Sequence, residues 1–385
     1  MNNWKWVLLG AAMLSPIPGH AQTPSPSEAL ALEQQGKLPE AAEAWRAVTR
    51  QDPKDAAAFA SLGVVLSKEQ KYDEAASAYK RALTLNPRLP GIQLNLGLAE
   101  FKQGRFQAAI VPFSAALSAD PKNKQARLLL GFSYYGAKNF AEAARHLALV
   151  AKSDPGNLEL HHVLAQSCLW AKQYSCALDE FRQILQRDPD SATVHVLMGE
   201  ALDGLRRTSD AIVEFQTAAS IAPREPNIHF GLGYLFWKLH KLDAAKQEFE
   251  NELAVDPGNA QALAYLGDVE IKNNNTDAAL PLLRKATTLR DDLRIAYLDL
   301  GGVLAQQKQY SQAIDAFQHA VKLDPKEPDA HYRLGRLYQA MGKADESKRE
   351  FAMVRELRAK SDEGLVQKMS PAPPSLDQSQ TMRPN

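Results

Sequence analysis

The sequence predicts an all-α solenoid built from about ten helical hairpins of 34 residues each. Three observations predict it. Prolines fall at positions 53, 87, 121, 155, 189, 223, 257 and 325, all in one 34-residue phase, with Asp291 in the single gap. Two columns of small residues keep that phase. One is glycine at 63, 97, 131, 199, 233, 267, 301 and 335, completed by Ala29 and Ala165. The other is alanine at 41, 75, 109, 143, 177, 211, 245, 279 and 313, with Ser347 last. Around these columns apolar residues recur three and four apart, as in Phe59, Leu62, Gly63, Leu66 and then Ala75, Tyr79, Ala82. That is the period of helices with one buried face. A lone hairpin cannot bury its own apolar face, so the hairpins must stack.

The elements follow in chain order. Residues 1–21 carry Lys5, an apolar run from Val7 to Leu14, the helix breakers Pro16 and Pro18, and the small-residue stretch Gly19-His20-Ala21. This pattern predicts a secretory signal peptide and an exported chain, periplasmic or secreted. The run is far short of the ~20 residues of a membrane span, and no cysteine follows it closely, so neither a span nor a lipid anchor is expected. Residues 22–361 then divide into ten units beginning at 22, 56, 90, 124, 158, 192, 226, 260, 294 and 328. In the first, Pro24 and Pro26 are expected to shorten the opening helix to about Ser27–Gln35, as suits an end cap.

Each later unit reads as two helices around a short polar turn, such as KEQK at 68–71. The small-residue columns predict helix axes only ~8–10 Å apart. Tyr79, Phe113, Phe181, Phe215, Phe249, Phe317 and Phe351 are expected to fill the space toward the next unit. The phased proline cannot continue the second helix. Two residues beyond it, Asp55, Asn123, Asn157, Ser191 and Asn259 are good N-caps. In the eighth unit Asp291 replaces proline and the turn is Asn273-Asn274-Asn275, which predicts a looser junction. The last helix, ADESKREFAMVRELRAK, is charged outside Phe351, Val354 and Leu357, so its free side can face water. The Pro/Ser/Gln-rich stretch 362–385 is predicted to be a disordered tail.

Once these columns are aligned, the chain resembles the tetratricopeptide repeat family. The resemblance rests on FASLGVVL at 59–66, AASAY at 75–79 and Pro87, and it runs from residue 22 to about 361. It implies a right-handed superhelix whose first helices line a concave groove while the second helices lie outside. It also implies a protein or peptide partner in that groove. Family members that clamp a terminal carboxylate use a Lys/Asn/Arg pattern. Here the matching positions hold Ala60, Val64, Leu94, Leu98, Leu128 and Phe132, and Asn95 stands alone, so that mode is not expected.

Composition narrows the function classes. Lys+Arg and Asp+Glu are both 45, and this balance gives nucleic acid no electrostatic support. No Gly-rich phosphate loop, metal-spaced cluster or nucleophile–base pair stands out, so neither an enzyme nor a cofactor is expected. His161, His195, His229 and His331 recur in phase, but in the slot that Phe59 and Tyr297 fill elsewhere, and stacked units hold them too far apart to share one metal ion. Glu252 stands where other units have Ala82, Ala116, Ala286 or Ala320, and is expected to reach solvent at the unit junction. Asn274-Asn275-Thr276 matches a glycosylation sequon, meaningful only in a eukaryotic secretory pathway. Cys168 and Cys176 lie on the two helices of one hairpin, where either a disulfide or two free thiols fits the spacing.

The groove face implied by the resemblance carries the functional content. It comprises Leu94, Leu98, Phe101, Leu128, Phe132 and Tyr135, then His162, Gln166, Leu169 and Trp170, then Phe230, Tyr234 and Trp237. Glu200, Asp203 and Asp268 form an acidic stretch along it, and Arg333 and Arg336 a basic end. Many aromatics on such a face point to a binding surface. Stacking between first helices would bury part of them. The expected function is a scaffold for an apolar, aromatic-anchored segment, with self-association or assembly through the outer face as the alternative.

Overall fold

The computed structural model describes residues 24–369. The expected signal segment 1–21 and residues 370–385 lie outside the described residues. Within them the regular structure is entirely helical, twenty α-helices forming ten hairpins in the phase the sequence sets. They fall into two compact units that divide after Ile184. The first unit holds α1 (Pro26–Gln34), α2 (Leu38–Gln51), α3 (Ala56–Lys68), α4 (Tyr72–Leu85), α5 (Ile92–Lys102), α6 (Phe106–Ala119), α7 (Lys124–Gly136), α8 (Phe140–Ala151), α9 (Leu158–Trp170) and α10 (Tyr174–Leu185). The second holds α11 (Ala192–Gly204), α12 (Thr208–Ile221), α13 (Ile228–Lys238), α14 (Leu242–Val255), α15 (Ala260–Lys272), α16 (Thr276–Leu289), α17 (Arg294–Gln306), α18 (Tyr310–Leu323), α19 (Pro328–Ala340) and α20 (Ala344–Met369).

Every hairpin turn is closed in the same way. One residue per turn is left-handed, at 36, 70, 104, 138, 172, 206, 240, 274, 308 and 342, with φ between 55° and 73°. The next amide then donates back over the helix end, as Lys71 N does to Leu66 O at 2.9 Å. This is a Schellman closure, which satisfies carbonyls that the helix end would orphan. Glycine fills the position three times and Asn274 once; the other six turns place longer side chains there. Asparagine tolerates this conformation well, so the three-asparagine turn is as tight as its neighbours. At the following junction Leu293 is buried and His319 Nε2 bonds the Asp291 carbonyl at 2.9 Å. The looser eighth unit is therefore not observed.

The second-helix rings pack on both sides. Toward the next unit, as expected, Phe113 clusters with Leu130, Phe249 stacks on Tyr265 at 5.9 Å and Phe215 meets Gly231, and most of the rings also lie on the glycine of their own hairpin. A Cβ on Gly63 would sit 2.5 Å from the Tyr79 ring, and one on Gly97, Gly233 or Gly301 would collide with Phe113, Phe249 or Phe317. At these positions the ring takes the room that the missing Cβ leaves. Phe215 alone touches glycine on both sides, Gly199 in its own hairpin and Gly231 in the next.

The first-helix starts follow the expected caps with one exception. Asp55, Asn123, Asn157 and Asn259 accept from amides of their first turns, whereas Ser191 makes no such bond. Helix α1 begins at Pro26 rather than Ser27, because Ser25 and Glu28 form a capping box that tolerates proline at the first helical position. Two first helices, α5 and α13, start two residues late in the repeat. Each follows a left-handed residue, Gly91 at φ 76° and Asn227 at φ 72°. At the far end α20 continues to Met369, so residues 362–369 are helical rather than part of a disordered tail. No proline interrupts them before Pro371, and a helix already nucleated extends cheaply.

Candidate partner-binding site

In the first unit the expected groove residues are largely half-buried. Leu94, Leu98 and Phe101 pack against the cluster around Phe113 and Leu130, and Leu128, Phe132, Tyr135, His162 and Gln166 are also half-buried. Leu169 is a correction: it is buried, because a short branched chain does not reach past the neighbouring helices. Trp170 behaves oppositely. It is 49% exposed, stacks on Tyr135 at 5.7 Å and packs at a tilt against Phe140 at 4.7 Å. Tyr135 is itself fixed by its hydroxyl, which donates to Gln166 Oε1 at 2.5 Å. The indole is thus a rigid apolar shelf whose ordering cost was met on folding, the property of a binding anchor. On the same helix Cys168 forms a disulfide with Cys176 of α10, Cα to Cα 5.8 Å. This ties the Trp170 helix to its hairpin partner.

The second unit holds a cleft of about 520 Å³ between α11 and α13, floored by Phe215. Val196, Leu197, Glu200 and Asp203 form one wall. Glu225, Pro226, Asn227, Phe230, Gly231 and Tyr234 form the other. Two features of the chain shape it. Helix α13 starts late, and Gly231 has no side chain where the adjacent repeats carry Leu197 and Tyr265, so the Phe215 ring lies against its bare backbone as the floor. The late start is held by Glu252, which is fully buried rather than solvent-directed. Its carboxylate accepts from Asn227 N at 2.8 Å, Phe230 N at 3.1 Å and the Asn259 side-chain amide at 2.9 Å. An anion at a helix N-terminus meets exposed N–H groups and a favourable dipole, so the site that looked polar and misplaced is a cap.

The acidic stretch resolves into two kinds of carboxylate. Asp203 is held by Lys238 at 2.7 Å and by the Thr208 hydroxyl at 3.1 Å. Asp268 accepts from Trp237 Nε1 at 2.5 Å and pairs with Lys272, whose ammonium also lies 4.6 Å over the Trp237 ring. Glu200 differs: it opens to the cleft, has no partner among the described residues, and its pKa is raised by the desolvating cleft walls. Trp237 is built into a half-buried aromatic group with Tyr234 and Tyr265, so of the two expected tryptophan anchors only Trp170 stands open.

Models described as tetratricopeptide repeat match residues 27–90 and 230–294, residues 100–167 and residues 329–361, and one described as TPR repeat matches 301–342. The chain belongs to the tetratricopeptide repeat family. Comparison with curated proteins gives no match. Among solved structures it is similar to the Cut9–Hcn1 hetero-tetramer of APC/C, at 14% identity and a TM-score of 0.50, over 89% of this chain and 83% of that one. It is also similar to YrrB, titled a TPR protein with an unusual peptide-binding site, at 20% identity and TM-score 0.40, over 49% and 98%. MamA from Desulfovibrio magneticus RS-1 matches at 25% identity and TM-score 0.40, over 44% and 97%.

The phased histidines have a structural account within these tetratricopeptide repeats. His161, His195, His229 and His331 each place Nδ1 2.5–2.7 Å from a glutamate nineteen residues on: Glu180, Glu214, Glu248 and Glu350. Each pair staples the two helices of one hairpin. Among the described residues no group of three or more His, Cys, Asp or Glu is placed to hold a metal ion. No described helix is long and apolar enough to cross a membrane.

At the last repeats Arg336 is exposed, and Arg333, also exposed, reaches back to the Leu298 carbonyl at 3.4 Å. Beside it lies Asp299, a buried carboxylate that the sequence reading passed over. Burial pushes its pKa up to about 7, nearby Asp268 adds to the rise, and Arg333 and Lys272 oppose it. Gly231, Glu225 and Asn227 were passed over too. Gly231 was findable, being the one glycine in a column otherwise filled by Ser27, Ser61, Asn95, Leu129, Val163, Leu197, Tyr265, Asp299 and Arg333.

Proposed function

We propose that this tetratricopeptide repeat protein is exported and holds a protein or peptide partner against the aromatic face of its first helices. The observation that carries the reading is Trp170, half exposed on a fixed Tyr135–Phe140 support. A flat apolar side chain held rigid in water fits the role of an anchor for an apolar residue of the partner. The Cys168–Cys176 bond supports an oxidising compartment, in keeping with the signal-like residues 1–21. The partner is an extended or helical segment with apolar residues.

The test is affinity capture from envelope extract by the chain from residue 22 onward, beside its Trp170→Ala variant. Loss of one captured protein in the variant, with helicity unchanged by circular dichroism, is the expected result. The same protein held by both would move binding to the outer face. A specific observation favours that second reading: the second helices leave Val111, Leu149 and Val213 exposed.

A further inference from the structure

We propose that the cleft between α11 and α13 takes one arginine side chain of the partner segment, with its guanidinium on Glu200 and its stem against Tyr234 and Phe230. This inference deepens the groove reading above and rests on it. Four observations lead to it. The cleft measures about 520 Å³, within the ~300–1,000 Å³ of ligand clefts. It is a built feature: the late start of α13 is clamped by Glu252, and the bare backbone at Gly231 seats the Phe215 ring that floors the cleft. Its charge is unbalanced: Lys238 already neutralises Asp203, while the Glu200 and Glu225 carboxylates pair with no cation among the described residues. Its apolar surface includes three aromatic rings, Phe215, Phe230 and Tyr234, and Tyr234 already lies within 5.8 Å of a cation, the Lys238 ammonium.

Glu200 is exposed yet unpaired among the described residues, and the low-polarity cleft walls beside it strengthen its attraction for an incoming cation over that in open water. Arginine fits better than lysine. Its planar fork can meet a carboxylate with two parallel hydrogen bonds, and its flat face stacks on an aromatic ring. A free small cation would leave the aromatic wall uncovered, whereas a peptide side chain brings its own apolar neighbours to cover Phe230 and Tyr234. Lys238, paired with the lining residue Asp203, disfavours a second positive residue beside it.

The test is selection from a positional-scanning library of ten-residue peptides against the chain from residue 22 onward and against Glu200→Gln and Glu225→Gln. Arginine is expected to be enriched at one position with the wild type. Resynthesis of a selected peptide with citrulline, the neutral isostere, should weaken binding about tenfold or more. The same peptide pair should bind Glu200→Gln with nearly equal affinity. Glu200 lies open in the cleft, so the variant should keep its fold, checked by circular dichroism. Selection of apolar peptides without arginine would overturn the inference and leave the groove reading standing. No selection at all would overturn both. A dimer in sedimentation velocity that Glu200→Gln dissolves would put a second copy of the chain in the cleft and also overturn the assignment.

Discussion

Replacing Glu252 by alanine tests whether one buried carboxylate sets the start of α13. The side chain serves three donors: Asn227 N, Phe230 N and the Asn259 amide. Asn227 lies at the surface, so water can replace the lost acceptor there. Phe230 N–H and the buried Asn259 amide have less access to water. Each stranded donor costs about 1–3 kcal/mol, so the expected loss is about 2–5 kcal/mol. A repeat array opens locally, and the loss should therefore appear first at the N-terminus of α13. Amide hydrogen exchange measured residue by residue is the suitable assay. A loss of about 2 kcal/mol corresponds to roughly thirty-fold faster exchange at Phe230. Glu250→Ala, two residues away on the exposed face, is the control, with an expected effect under ~0.5 kcal/mol. Equal exchange at Phe230 in Glu252→Ala and in the control would refute the capping argument. It would also remove one of the two reasons given for the cleft.

Other predictions concern charge, backbone and crosslink. Asp299 has a folded pKa of about 7, above its ordinary 3.8, so the folded chain binds the extra proton between these values. Stability should fall as pH rises from about 4 to about 7 and level off beyond, by an upper bound of about 4 kcal/mol. Asp299→Asn should flatten that slope and be the more stable protein at pH 8 in urea titrations; an unchanged slope would refute the assignment. Lys138 is left-handed in its turn, so Lys138→Gly should stabilise by up to about 1 kcal/mol, read as a higher urea midpoint, and a lower midpoint would count against the turn geometry. Cys176→Ser opens a crosslink spanning eight residues and should cost roughly 2–3 kcal/mol. The loss should concentrate in exchange of α9 and α10, and full retention of their protection would show that the bond adds nothing.

Much of the architecture was legible before any coordinates. A 34-residue phase in proline, glycine and alanine leaves little choice: helices must form hairpins, hairpins must stack, and the turns recur on schedule. Periodicity identifies a buried face but not the atom that a side chain meets. So the small-residue columns predict close helix axes but not that Gly63 meets the Tyr79 ring, and Leu169 was placed in the groove although it is buried. The acidic residues share this limit. Sequence put Glu200, Asp203 and Asp268 on one face, yet only distances separate the carboxylates already held by Lys238 and Lys272 from the one left open.

The sequence by itself determined the family, the number of hairpins and the helix phase, because those depend on interactions between residues close along the chain and repeated at a fixed period. Tertiary structure decided what each exception is for. Glu252 breaks an alanine column because the backbone amides of α13, more than twenty residues earlier, need an anion. Gly231 stands where the adjacent repeats carry Leu197 and Tyr265, and its bare backbone admits the Phe215 ring that floors the cleft. Such effects arise between segments that only folding brings together, and a local pattern carries no record of which group will face which.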